Sequence, residues 1–197
     1  MKEIGTVKEL DNNTREVLEY GLYILFSEMV KMLVFIVIAV ILNILQYALF
    51  SLLCYALLRI FAGGIHSKTW IGCLISSSTI FFLTVYLSLM IPFSGLYLHI
   101  LQTCIYLLCM AILLKYAPSD HENKPIASTK QRKRLKKISL LIFNAIFIVS
   151  LFLPQPYGKI AILSLLAECV FILPVIYWIS GNKYGSEYRG DKYEYNL

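Results

Sequence analysis

Two side chains in this sequence have the types and the spacing for covalent chemistry. They are His66 and Cys73, in the segment Arg59-Ile60-Phe61-Ala62-Gly63-Gly64-Ile65-His66-Ser67-Lys68-Thr69-Trp70-Ile71-Gly72-Cys73, at a break between apolar stretches. The thiolate is the reactive form of cysteine, and a nearby imidazolium or other cation stabilises it. A histidine can take the proton from the thiol and later return it to a leaving amine. Those are the requirements of a cysteine protease dyad. Seven residues of unbroken helix rise roughly 10 Å, too far for thiol and imidazole to meet. The chain must therefore bend between them, or only Cys73 can be helical. Gly63, Gly64 and Gly72 free the backbone to do this. Non-helical backbone at membrane depth is tolerated only where protein or water covers it. On spacing alone a plainer reading stays open, a glycine-containing turn with an incidental histidine.

The other polar candidates carry less. Cys54, Cys104, Cys109 and Cys169 lie well inside apolar stretches, where buried cysteine packs as a small hydrophobe. None forms a short zinc-type pair with a histidine nearby, and cysteines in helices do not suit a disulfide framework. Asp120-His121-Glu122 has no helical HExxH pattern around it and reads as part of a solvated loop, so no metal and no other cofactor is expected. Glu168 is the ionisable group nearest mid-span. A carboxylate inside an apolar span is costly and usually has a partner or a function. It is expected to face the bundle and pair with a cation or a polar group.

The elements that must hold these residues are membrane helices. Of 197 residues, 58% are hydrophobic and 15% charged, against roughly a quarter charged in a soluble domain. A mixed segment, 1–28, is followed by six apolar stretches at about 30–45, 47–62, 71–91, 96–115, 138–154 and 158–180. A perpendicular helix needs ~20 residues to cross the hydrocarbon core. The third, fourth and sixth stretches meet that length; the first, second and fifth are short. Only a tight turn around Asn43 and Gln46 separates the first two, which are two short spans or a re-entrant pair. The expected fold is all-α, a single polytopic membrane bundle of about six embedded helices. Val7, Leu10, Thr14, Val17, Leu18, Gly21, Leu22 and Leu25 recur at helical spacing, so an amphipathic helix is expected over 1–28, and not a cleavable signal peptide. With six crossings, 17 of the 18 Lys and Arg fall on one side and only Lys159 on the other. That is the positive-inside pattern. It puts both termini, His66, the basic loop 116–137 and the tail 181–197 in the cytoplasm. The loop holds Lys124, Lys130, Arg132, Lys133, Arg134, Lys136 and Lys137. Fixing topology on anionic lipid, at ~1 kcal/mol per basic residue near the surface, accounts for these charges. Attraction of an acidic peptide is a functional addition. Nucleic-acid binding explains a loop tethered to a bundle poorly.

At Arg59, Gly64, His66 and Cys73, and again at Tyr116-Ala117-Pro118 continuing to Lys124-Pro125-Ile126, the sequence resembles the accessory gene regulator B (AgrB) family of membrane peptidases. The length, the early apolar pair and the basic loop fit as well. The resemblance implies a cysteine endopeptidase that removes the C-terminal part of a quorum-sensing precursor. It further implies that the rest of the peptide becomes a cyclic thiolactone. By the match, Cys73 is the nucleophile and His66 the base. Arg59, Gly64 and Lys124 are supporting or substrate-binding positions, and Arg59 or Glu168 is a candidate orienting group. The implied partners are an AgrD-like precursor peptide and the lipid bilayer, with a homodimer left open. The competing reading is a small transporter without covalent chemistry, which would place polar or ionisable residues near the bilayer midplane.

Overall fold

A computed structural model describes residues 12–65, 69–92, 94–119, 126 and 128–182. Among them the structure is helical: α1 (Asn12–Ile41), α2 (Leu45–Ala62), α3 (Trp70–Met90), α4 (Gly95–Tyr116), α5 (Thr129–Phe152), α6 (Tyr157–Ile172) and α7 (Pro174–Ile179). Four of these, α2 to α5, are long and apolar enough to cross a membrane. The protein is thus an all-α membrane bundle.

The chain forms two compact units, Met1–Leu42 and Asn43–Leu197. The first contains α1, a helix of 30 residues. It runs without interruption through the boundary expected between an amphipathic segment and a first apolar stretch. No proline breaks it, and the Glu28 and Lys31 side chains pair one turn apart on its surface. The expected amphipathic positions Val7 and Leu10 lie outside the described residues.

In the second unit α6 is the central element. It packs against α2, α3, α4 and α5, and Ile160, Ala161, Ile162, Leu165, Cys169 and Ile172 on it are all buried. A helix that is apolar all round belongs in the middle of a bundle. The helices around it present large apolar side chains outward, among them Ile71, Leu83, Leu96, Leu107, Leu141 and Phe152. Surface of that kind is stable against lipid and not against water. Polar side chains join the helices: Ser51 Oγ lies 2.9 Å from Ser164 Oγ, and the Tyr106 hydroxyl donates to Asn144 Oδ1 at 2.9 Å. In a bundle without a hydrophobic drive between helices, such bonds help set register.

Three expectations need correction. The stretch 158–180 is not one span: α6 has 16 residues, roughly 24 Å at 1.5 Å per residue. The helix stops at Leu173, because Pro174 has no N–H to donate and its ring opposes continuation. The basic segment is not all loop. α5 starts at Thr129, with the Ser128 hydroxyl accepting from Gln131 N, so the basic run from Lys130 to Lys137 is its first turns. Lysine and arginine are good helix formers, and the Ser128 cap supplies the start. Finally, Cys104 is exposed on the bundle surface, whereas Cys54, Cys109 and Cys169 are buried. Cys104 and Cys109 lie on different faces of α4, as their spacing requires.

Candidate active site

The α2–α3 junction is where the sequence places its chemistry, and the backbone breaks there. α2 ends at Ala62 and α3 begins at Trp70, with the Thr69 side chain accepting from Gly72 N at 3.1 Å. Gly63 and Gly64 take φ values of 76° and 133°, a region that costs other residues strain. Gly72, also expected to ease a bend, is instead helical, in the first turn of α3. Cys73 follows it, half-buried, with Sγ 4.0 Å from Ser77 Oγ. The first turn of a helix is where the dipole favours negative charge. His66 and Lys124 lie outside the described residues, as do Asp120, His121 and Glu122.

The segment leading to His66 is clamped from three sides. Gly64 N donates to Ser119 O at 3.2 Å, and Ser119 N donates to Ala62 O at 2.8 Å. These bonds make a short parallel bridge between Gly63 and Ser119. Ile65 N reaches Phe171 O at 3.4 Å, at the end of α6. Arg59 holds the third side. Its Nη1 donates to Glu168 Oε2 at 3.1 Å, and its Nη2 donates to the Ile65 carbonyl. Glu168 is fully buried and Arg59 largely so. Glu168 does pair with a cation, as its cost inside an apolar helix demands. The guanidinium also lies over the rings of Tyr55 and Phe171, at 5.6 and 5.9 Å.

The glycines are required by this closeness. A Cβ on Gly63 would stand 1.9 Å from the Ser119 carbonyl oxygen, and one on Gly64 would stand 2.5 Å from Arg59 Nη1. Of the site residues read from the sequence, Arg59, Gly64 and Glu168 thus form one cluster, and Cys73 opens the next helix. The two sequence motifs, around Gly64 and around Ala117-Pro118, meet edge to edge. The chain matches the accessory gene regulator B family over residues 2–172.

It belongs to that family. A protein of Staphylococcus aureus (strain MRSA252) called accessory gene regulator protein B is 29% identical over 160 residues, covering 80% of this chain and 81% of the relative. A putative AgrB-like protein of Clostridium acetobutylicum is 27% identical over 176 residues, covering 89% and 82%. A putative AgrB-like protein 2 of Clostridium perfringens is 30% identical over 156 residues, covering 73% and 68%. No solved structure matches.

In this AgrB-family chain the structure adds residues that the sequence did not single out. Ser119 donates to the Tyr177 hydroxyl at 2.8 Å, and both are buried. Arg132, in the first turn of α5, donates to the Pro118 carbonyl at 3.1 Å, and Lys136 donates to the Leu114 carbonyl. Part of the basic run therefore holds the Ala117–Ser119 segment in place. The only signal for this in the sequence was that a basic run follows the second motif. Tyr177 is buried, while its neighbour Trp178 is 81% exposed. His99 bonds Gln102 Oε1 at 3.2 Å on α4, in the half of that helix away from Leu113–Ala117.

Proposed function

We propose that this protein is a membrane cysteine endopeptidase that cuts the C-terminal part from a quorum-sensing precursor peptide. The observation that carries it is the clamp: Arg59, Glu168 and the Ala117–Ser119 segment fix Gly63-Gly64-Ile65 immediately before His66, and Cys73 stands at the start of the next helix. Backbone held up to Ile65 serves a dyad, since catalysis by two side chains depends on holding them in one geometry.

In this reading His66 takes the thiol proton and Cys73 Sγ attacks the scissile carbonyl. The C–N bond breaks, the amine leaves with the proton from His66, and the acyl group stays on Cys73 as a thioester. A cysteine thiol within the retained peptide then attacks that thioester. A new thioester, the thiolactone, forms, and the Cys73 sulfur is released and reprotonated. One thioester replaces another, so little bond energy changes. Water would take the same intermediate downhill to a linear acid, and ring closure requires a thiol held close and water held away. The partner is an AgrD-like precursor, and the basic first turns of α5 offer attraction for an acidic part of it. The active-site end and both termini face the cytoplasm.

The transporter reading calls for ionisable groups at the midplane. The buried ion pair lies instead beside the non-helical Gly63–Ile65 segment at one end of the bundle, which favours the peptidase. Cys73→Ala and His66→Ala should each abolish cleavage of a co-expressed precursor, read by immunoblot, while membrane insertion is unchanged. Their losses should not add. Continued cutting by Cys73→Ala would end this reading. A precursor with its ring-forming cysteine changed to serine or alanine should still be cut. It should then accumulate as a hydroxylamine-labile adduct on Cys73 or a slowly released linear acid, both visible by mass spectrometry. Rapid turnover with no adduct would separate ring closure from Cys73.

A further inference from the structure

The Glu168 carboxylate is satisfied on one side only. Oε2 accepts from Arg59, while Oε1 is buried and has no hydrogen-bond partner. An open acceptor on a buried charged group is costly, and hydrocarbon around a bundle supplies no donor. Arg59 has its Nη1 on Oε2 and its Nη2 on the Ile65 carbonyl. Gly64, whose added Cβ would stand 3.4 Å from Oε1, has no side chain to offer.

The Tyr55 side chain carries a hydroxyl donor. Tyr55 lies on α2 one turn before Arg59, with its ring 5.6 Å from the guanidinium. The ring meets Phe81 of α3 edge-on at 5.1 Å and Phe171 of α6 at 6.5 Å. The ring thus lies against the same guanidinium that donates to Glu168 Oε2 at 3.1 Å, on the side of α2 that meets α6. Phe81, Ser77 and Cys73 are spaced four apart and share one stripe of α3. Tyr55 therefore joins the charged pair of α2 and α6 to the stripe that carries Cys73. A phenylalanine would make every one of these ring contacts, so the hydroxyl is the part that packing does not explain.

We propose that Tyr55 is a positioning residue of the peptidase reaction: its hydroxyl donates to Glu168 Oε1, and the Tyr55–Glu168–Arg59 chain sets the Gly64–Ile65 segment against the Cys73 face of α3. The proposal rests on the reading of Cys73 and His66 above. The hydroxyl exchanges no proton and makes no bond to substrate.

The test is single-turnover and steady-state cleavage of precursor by purified, lipid-reconstituted protein, normalised to the folded fraction from thermal unfolding. Wild type, Tyr55→Phe, Glu168→Gln, the double variant and Cys73→Ala are compared. Tyr55→Phe should lower kcat roughly tenfold or more, as expected for losing a hydrogen bond to a charged group, with KM little changed. The double variant should be no worse than Glu168→Gln, because the two act as one unit. Three results would each overturn the proposal: kcat unchanged in Tyr55→Phe, a loss carried by KM or by the folded fraction alone, or losses that add in full. Cleavage by Cys73→Ala would remove the peptidase reading and this proposal with it. An inactive Cys73→Ala beside a fully active Tyr55→Phe removes Tyr55 alone.

Discussion

Arg59 has three kinds of partner: a carboxylate oxygen, a backbone carbonyl and aromatic faces. Only a guanidinium meets all three, because its donors lie in a flat fork and its plane stacks on rings. Arg59→Lys should therefore keep the charge and the bundle but lose the Ile65 carbonyl or Glu168. The protein should stay folded and cut its precursor poorly. Removing one member of a buried pair strands the other, at a cost of about 3–5 kcal/mol. Glu168→Leu should accordingly lower the thermal unfolding midpoint in detergent well below that of Arg59→Lys. The exchange Arg59→Glu with Glu168→Arg separates the two roles. It should regain part of the stability and no cleavage, since a glutamate at 59 cannot donate to the Ile65 carbonyl. Cleavage near the wild-type rate by the exchanged protein would show that charge balance alone is what matters.

Two glycines test whether contacts between elements serve the site or only the fold. At Gly63 a Cβ would run into the Ser119 backbone oxygen, and the φ of 76° is strained for any other residue. Gly63→Ala should part the two motifs and abolish cleavage even in the fraction that folds. At Gly158 a Cβ would stand 2.6 Å from the Ser150 carbonyl oxygen, where α5 turns into α6 at the other end of the bundle. Gly158→Ala should reduce stability and yield, yet leave cleavage per folded molecule near wild type. Equal loss of specific activity in both variants would contradict this division. The Lys159 ammonium donates to the Ile91 carbonyl at 2.6 Å, so that end has its own cross-link and needs nothing from the clamp.

For the whole molecule the main question is orientation. The Gly63–Ile65, Ala117–Ser119 and Phe171 segments converge at one end of the second unit, and the Ile91 and Lys159 junctions meet at the other. With 17 of 18 basic residues assigned to the first side, that end is expected to face the cytoplasm. Reporter fusions at positions 125 and 190 should both read cytoplasmic, and a fusion near Gly95 should read external. A cytoplasmic reading near Gly95 would invert the arrangement and place the clamp where a cytoplasmic precursor cannot reach it.

The all-α membrane class, the break between α2 and α3 and the need of Glu168 for a cation were legible in the residues themselves. Each follows from a local rule: apolar length, glycine conformation, or the cost of a lone charge in hydrocarbon. The resemblance at Arg59, Gly64, His66, Cys73 and Tyr116-Ala117-Pro118 was also present in the chain order alone. What the sequence could not supply were the partners. That Glu168 takes Arg59, 109 positions away, that Ser119 bridges Gly63 and bonds Tyr177, and that the Tyr55 ring lies beside the Arg59 guanidinium are facts of helix packing. Nothing in a one-dimensional pattern distinguishes Ser119, Tyr177 and Tyr55 from neighbours of the same type. The basic run looks like loop in one dimension because its charge outweighs its helix propensity, and the sixth stretch looks like one span because hydropathy is blind to one proline. Only the packed bundle decides which faces meet, since the register of one helix on another is set by contacts among all of them together.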